Sequence, residues 1–271
     1  MTTFQQPPSS SAPTRSGNPA LSESFVEQLT PPVPAARTMS VAGVSVKTLV
    51  LLAFVIIGGA WGWAAATEQV PAELGSGYAD TTVTIPGGFW LASFGSFFIG
   101  ILIAVSPRRA GVLGIVYAVG QGFCLGAISA AFNAQTDGIV SAAVLSTLCV
   151  FVVALFLYVT RIIKPTQKLA FAVVAGLGGL GLLYFFVFVM SIFDWGWLYS
   201  ESFRTVGLVV TVVAIILAAL SLVLDFGTIE AGVEAGAPKE YEWYLAFSLM
   251  VTLIWLYVML LRLLAVLSRN R

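Results

Sequence analysis

The sequence predicts an all-α integral membrane protein, a bundle of seven transmembrane helices behind a disordered N-terminal tail. Three observations carry that expectation. Of 271 residues, 58% are hydrophobic and only 10% charged, well above the roughly 45–50% apolar content of soluble domains. The apolar residues fall into uninterrupted blocks near the ~20 residues that cross ~30 Å of hydrocarbon, and they show no strand-like alternation. Trp61, Trp63, Trp90, Trp195, Trp197 and Trp243 stand at or near block ends, where indole rings anchor at the membrane interface. Helices follow from the solvent, because a helix satisfies its own backbone polar groups in lipid.

Residues 1–44 are rich in Pro, Ser and Thr and lack an extended apolar face, the composition of a disordered tail. Ser24 and Glu27 have capping-box spacing, a weak local signal for a turn or two of helix. A cleaved leader is not expected, since the first apolar block is longer than the ~7–15 residues of a signal core. Residues 45–268 form the expected seven-helix domain. The blocks are Val46–Ala66, Gly87–Ser106, Ala110–Phe132, Gly138–Thr160, Leu169–Ile192, Thr205–Leu224 and Trp243–Leu264.

Charge sets the expected orientation. With the N-terminus cytoplasmic, Arg15, Arg37, Lys47, Arg108, Arg109, Arg161, Lys164, Lys168 and Lys239 lie inside and only Arg204, Arg262, Arg269 and Arg271 outside, the bias that orients multi-pass proteins. The basic C-terminus opposes this sense, and a re-entrant last block would remove the conflict. The expected place is a cell membrane. Formal net charge is zero, so bulk electrostatics give no reason for nucleic-acid binding. The chain has no His, the usual neutral-pH proton carrier and commonest metal ligand. Cys124 and Cys149 each lie inside an apolar block and are expected to stay reduced and inaccessible to water. No HExxH, GxSxG or Cys/His pair occurs, so neither an enzyme nor a cofactor is expected.

Small residues mark expected helix contacts. Gly122 and Gly126 in GFCLG, and Gly176, Gly178, Gly179 and Gly181 in AGLGGLG, offer surfaces for close backbone approach. Gln121 and Asn133 are read as interhelical hydrogen-bonding groups, with a polar path as the alternative.

The stretch Ser221–Phe247 gathers five of the 13 acidic residues. Glu230 and Glu234 are four apart and share a face if that segment is helical. They and Glu240 are read first as a solvated surface, with Glu230 and Glu234 kept as secondary candidates. Asp225 differs, because Leu222, Val223, Leu224 and Phe226 surround it. An ionisable group at membrane depth is costly unless it meets a partner or a water-filled cavity. Asp225 is therefore the best functional candidate, since a buried carboxylate with a second one nearby can change charge near neutral pH without any His.

The segments GFCLGAISAAF, DGIVSAAVLSTLCVF, YVTRIIKPTQKLAF, LVLDFGTIE and LIWLYVMLLRLL, in that order, resemble the Bax inhibitor-1 (transmembrane Bax inhibitor motif, YccA-like) proteins over about residues 45–268. The resemblance implies a seven-helix bundle with one central helix. Some members look like pH-sensitive calcium leak channels gated by two aspartates on the last two helices. Asp225 matches the first aspartate. Ten residues before Arg262, where the second belongs, the chain has Thr252, so Glu242 is the nearest substitute.

Two functions are therefore expected. In the first, the protein is a pH-sensitive cation leak in which Asp225 contacts calcium or another cation transiently. The runner-up is a non-transporting regulator that binds a membrane-bound protease or other membrane partner, as YccA-type members do. A pore would need polar groups continuing from Asp225, and the sixth block offers only Thr205, Thr211 and Ser221.

Overall fold

The computed structural model describes residues 38–69, 81–192 and 201–269. The expected disorder before residue 38, and Trp195 and Trp197, lie outside the described residues. Among the described residues seven α-helices follow one another: α1 Val41–Ala66, α2 Phe89–Val105, α3 Ala110–Asn133, α4 Ile139–Val159, α5 Gln167–Ile192, α6 Glu201–Glu234 and α7 Tyr241–Arg269. A single 3₁₀ turn, Pro107–Arg109, joins α2 to α3. Six helices are long and apolar enough to cross a membrane, and α2 is a shorter apolar helix. At ~1.5 Å per residue, its 17 residues reach about 26 Å.

The chain is thus a multi-pass membrane protein with one helix for each apolar block. An antiparallel ribbon, β1 Thr67–Gln69 with β2 Thr81–Val83, is added between α1 and α2. Its three-residue strands are too short to show as alternation in the sequence. The helical body also begins earlier than residue 45. Ser40 caps α1 by accepting from the Gly43 backbone N–H at 3.0 Å, the side-chain oxygen supplying what a free helix end lacks. Two further boundaries move. α6 continues past Asp225 to Glu234, because nothing between Phe226 and Glu234 breaks a helix. α7 is one helix of 29 residues, which removes the re-entrant alternative for the last block.

α7 is the central helix. It packs against α1, α3, α4 and α6, and Ala246, Met250, Leu256 and Leu261 along it are fully buried. α1 and α3 form the most extensive pair, and glycine explains why. A Cβ at Gly58 or Gly62 would run into the carbonyl oxygens of Val119 and Phe123, and one at Gly122 or Gly126 into those of Val55 and Gly59. Two small-residue stripes therefore mesh backbone to backbone, the packing that replaces the hydrophobic effect between helices in lipid.

The second glycine cluster behaves differently from expectation. Gly176 faces Leu217, but no heavy atom lies within 4 Å of a Cβ built at Gly178, Gly179 or Gly181. α5 packs chiefly on α6 at the edge of the bundle, so most of its surface has no protein to approach. Asn133 also takes another role, accepting from the Gly138 backbone N–H at 3.2 Å to close the α3–α4 turn.

The cysteines separate. Cys124 is buried with its Sγ 3.2 Å from Ser93 Oγ, whereas Cys149 is exposed on the outer face of α4. Both lie within apolar helices, so membrane depth protects Cys149 where protein protects Cys124. A membrane-impermeant maleimide is expected to label neither in intact vesicles, and a lipid-soluble maleimide only Cys149. Labelling of Cys124 by the impermeant reagent would show a water-filled path along α3.

Candidate functional site

Asp225 lies in the C-terminal third of α6 with its side chain turned to α7. Its Oδ1 accepts from Ser248 Oγ at 3.0 Å and its Oδ2 from Thr252 Oγ1 at 2.7 Å. Ser248 and Thr252 are four apart, so one face of α7 presents two hydroxyls to one carboxylate. Among the described residues no cation pairs with Asp225; the ion pairs are Lys47–Glu242, Arg108–Glu240 and Arg161–Glu230. Thr252, the residue ten before Arg262, is thus in direct contact with Asp225.

Glu242 is not brought to Asp225. It sits ten residues before Thr252 on the same helix, about 15 Å along the axis. Its carboxylate is held elsewhere. Oε1 accepts from the Ser40 backbone N–H at 2.9 Å and from Ser40 Oγ at 3.3 Å, while Oε2 takes Lys47 Nζ. Glu242 is fully buried, and Gly43 makes the room, since any Cβ there would overlap the carboxylate. Lys47 Nζ also lies 5.4 Å from the Trp243 ring centre, a cation–π contact. Next to this clasp the Met39 backbone N–H donates to Ala237 O at 2.8 Å. Glu242 therefore ties the start of α1 to the start of α7, which a reading of neighbouring residues had no means to detect.

The secondary acids divide as well. Glu230 accepts from the Tyr158 hydroxyl and pairs with Arg161 at 3.3 Å, linking the α4–α5 turn to α6. Pro165 seats against Gly227 on that same helix, where a side chain would leave it no space. Glu234 is exposed one turn further on. The two do share α6, but only Glu234 has the character of a solvated surface group.

A cavity of about 410 Å³ opens between α2, α3 and α7, with Phe97, Tyr117, Tyr244, Ser248 and Thr252 in its wall. Ser248 and Thr252 consequently stand between the cavity and Asp225. The hydroxyls of α6 do not extend this polar route, because Thr211 and Ser221 bond back to Gly207 O and Leu217 O on their own helix. The hydroxyls that reach Asp225 come from α7, the helix where sequence reading did not look for them, and the rest of the cavity wall is chiefly apolar.

The chemistry of the contact follows from its donors. An ionised carboxylate accepts from both hydroxyls; a protonated one can donate to either, since a hydroxyl offers lone pairs as well as a proton. The α6–α7 contact is therefore compatible with both states of Asp225. Two aspartates facing one another would instead need a shared proton, as like charges at close range resist joint ionisation.

Comparison with curated protein sequences gives no match. The family model described as Bax inhibitor 1 like matches residues 8–269, nearly the whole chain, including much of the segment before α1. With that match over most of its length, and with α7 central among the seven described helices, the chain belongs to the Bax inhibitor 1-like family.

Proposed function

We propose that the protein is a cation leak of the membrane, without enzymatic activity, whose gate is the α6–α7 contact at Asp225. One observation carries the reading: a carboxylate inside a spanning helix is held, among the described residues, by Ser248 and Thr252, which also border the cavity of about 410 Å³. Intramembrane acids placed this way mark ion or proton routes. One carboxylate and two hydroxyls fall short of the 6–8 oxygens a resident calcium takes. The set suits a cation that keeps most of its water while passing. The basic residues support an N-terminus on the cytoplasmic side, and a bacterial plasma membrane, which the resemblance to YccA-like proteins implies, is part of the same proposal.

Because a threonine faces Asp225, we expect cation flux with a shallow pH profile. Asp225→Asn should lower calcium entry into proteoliposomes severalfold and leave what remains flat with pH. Thr252→Asp should instead add a steep step between about pH 6 and 8, the range reached by a strongly perturbed acid pair. Calcium entry measured across that range for the parent and both variants tests this. Identical profiles in all three would sink the gate. No flux from the parent at any pH would favour the second reading, binding of a membrane protease or other membrane partner. That reading draws on the clasp at Ser40 and Glu242, which fixes the start of α1 against α7.

A further inference from the structure

A second cleft, of about 520 Å³, lies at the opposite end of α7 from its C-terminus, where the 3₁₀ turn meets α3. Arg108, Arg109, Val112, Glu240 and Trp243 line it. The indole of Trp243 forms one wall and packs on Gly111, 3.5 Å from where a Cβ would stand. Both arginines are exposed. Arg108 reaches Glu240 only at 4.0 Å, with side chains 80% and 66% exposed, a loose pair of little energetic weight. Arg109 has no ion-pair partner among the described residues.

The surface directly below is apolar. Val112 and Val116 follow helical spacing along one face of α3, starting about one turn after Arg109 of the 3₁₀ turn, and the two valines are 75% and 51% exposed. Cations at the rim, an aromatic ring at the interface and an apolar strip running toward the bilayer centre form an amphipathic sequence in space. A free phosphate would use only the first of these.

We propose that this cleft binds the phosphate headgroup of an anionic phospholipid, with an acyl chain lying along Val112 and Val116. Arg109 is the primary phosphate contact. Arg108 joins it by leaving Glu240, and Trp243 supports the glycerol region, the level at which interfacial indoles sit. Basic pockets between spanning helices recognise such headgroups by charge.

Native mass spectrometry of the full chain in detergent, titrated with phosphatidylglycerol and with phosphatidylcholine of the same acyl chains, tests the site. Phosphatidylglycerol should bind at least about tenfold more tightly. The double variant Arg108→Ala/Arg109→Ala should lose that preference, and the volume-preserving Arg109→Gln should lose severalfold. Glu240→Gln, which frees Arg108, should strengthen it. Lys164→Ala/Lys168→Ala, basic residues of another turn, should leave it unchanged. Equal binding of the two lipids by the parent would overturn the proposal. So would an equal loss in both double variants, which would mean diffuse attraction, or displacement of the lipid by equimolar inorganic phosphate, which would mean a free-anion site.

Discussion

Glu242→Ala is expected to destabilise the protein by about 3 kcal/mol, the low end of the ~3–5 kcal/mol seen when one partner of a buried ion pair is removed. The lower figure applies because the Lys47 side chain is 16% exposed and can swing toward the interface once released. The loss is more than the pair. Ser40 gives up two hydrogen bonds to Oε1, so the capping residue of α1 loses its tie to α7. Glu242→Gln should cost less, because an amide oxygen can still accept from the Ser40 N–H. Gly43→Ala should act in the same direction by pushing the carboxylate out of its clasp. Glu240→Ala should cost under about 1 kcal/mol, as its pair with Arg108 is exposed and loose. Thermal unfolding in one detergent, followed by circular dichroism, ranks the four. Equal transitions for Glu242→Ala and Glu240→Ala would show that the clasp contributes nothing.

Gly126→Val is expected to separate α1 from α3 and to cost about 3 kcal/mol or more, at or beyond the upper end of ordinary overpacking. A Cβ at Gly126 would overlap the Gly59 carbonyl oxygen and lie 2.8 Å from Trp63 N. These are backbone atoms, and no rotamer change moves them. Relief requires moving a whole helix away from its most extensive partner, which opens the packing around Gly58, Gly62 and Gly122 as well. Gly179→Val is the matched comparison, since nothing lies within 4 Å of a Cβ there. It should leave folding yield and thermal transition unchanged. The same loss in both variants would mean that helix propensity or insertion, and not the α1–α3 contact, sets the cost.

Much of the architecture was legible in the residues themselves. Seven apolar blocks become seven helices because lipid admits no cheaper backbone arrangement. Asp225 stood out because one carboxylate among Leu222, Val223, Leu224 and Phe226 contrasts with everything near it. Gly122 and Gly126 announced a close contact, though not with which helix. The matching Gly58 and Gly62 of GGAWG carried the same spacing and were the available signal for the partner.

What tertiary structure alone decided is which residues meet. Glycines at Gly178, Gly179 and Gly181 look in sequence much like those of α3, yet they face no protein. Glu242 seemed the natural companion of Asp225, but its partner Lys47 lies 195 residues away, and Asp225 instead meets Ser248 and Thr252. The physical reason is common to all three cases. A helix apolar on every side has no polar stripe to reveal its inward face, since lipid accepts the same side chains as the bundle core. Composition therefore sets how many helices cross and where they end, while pairing depends on small steric and polar features that acquire meaning only once two distant segments are brought together.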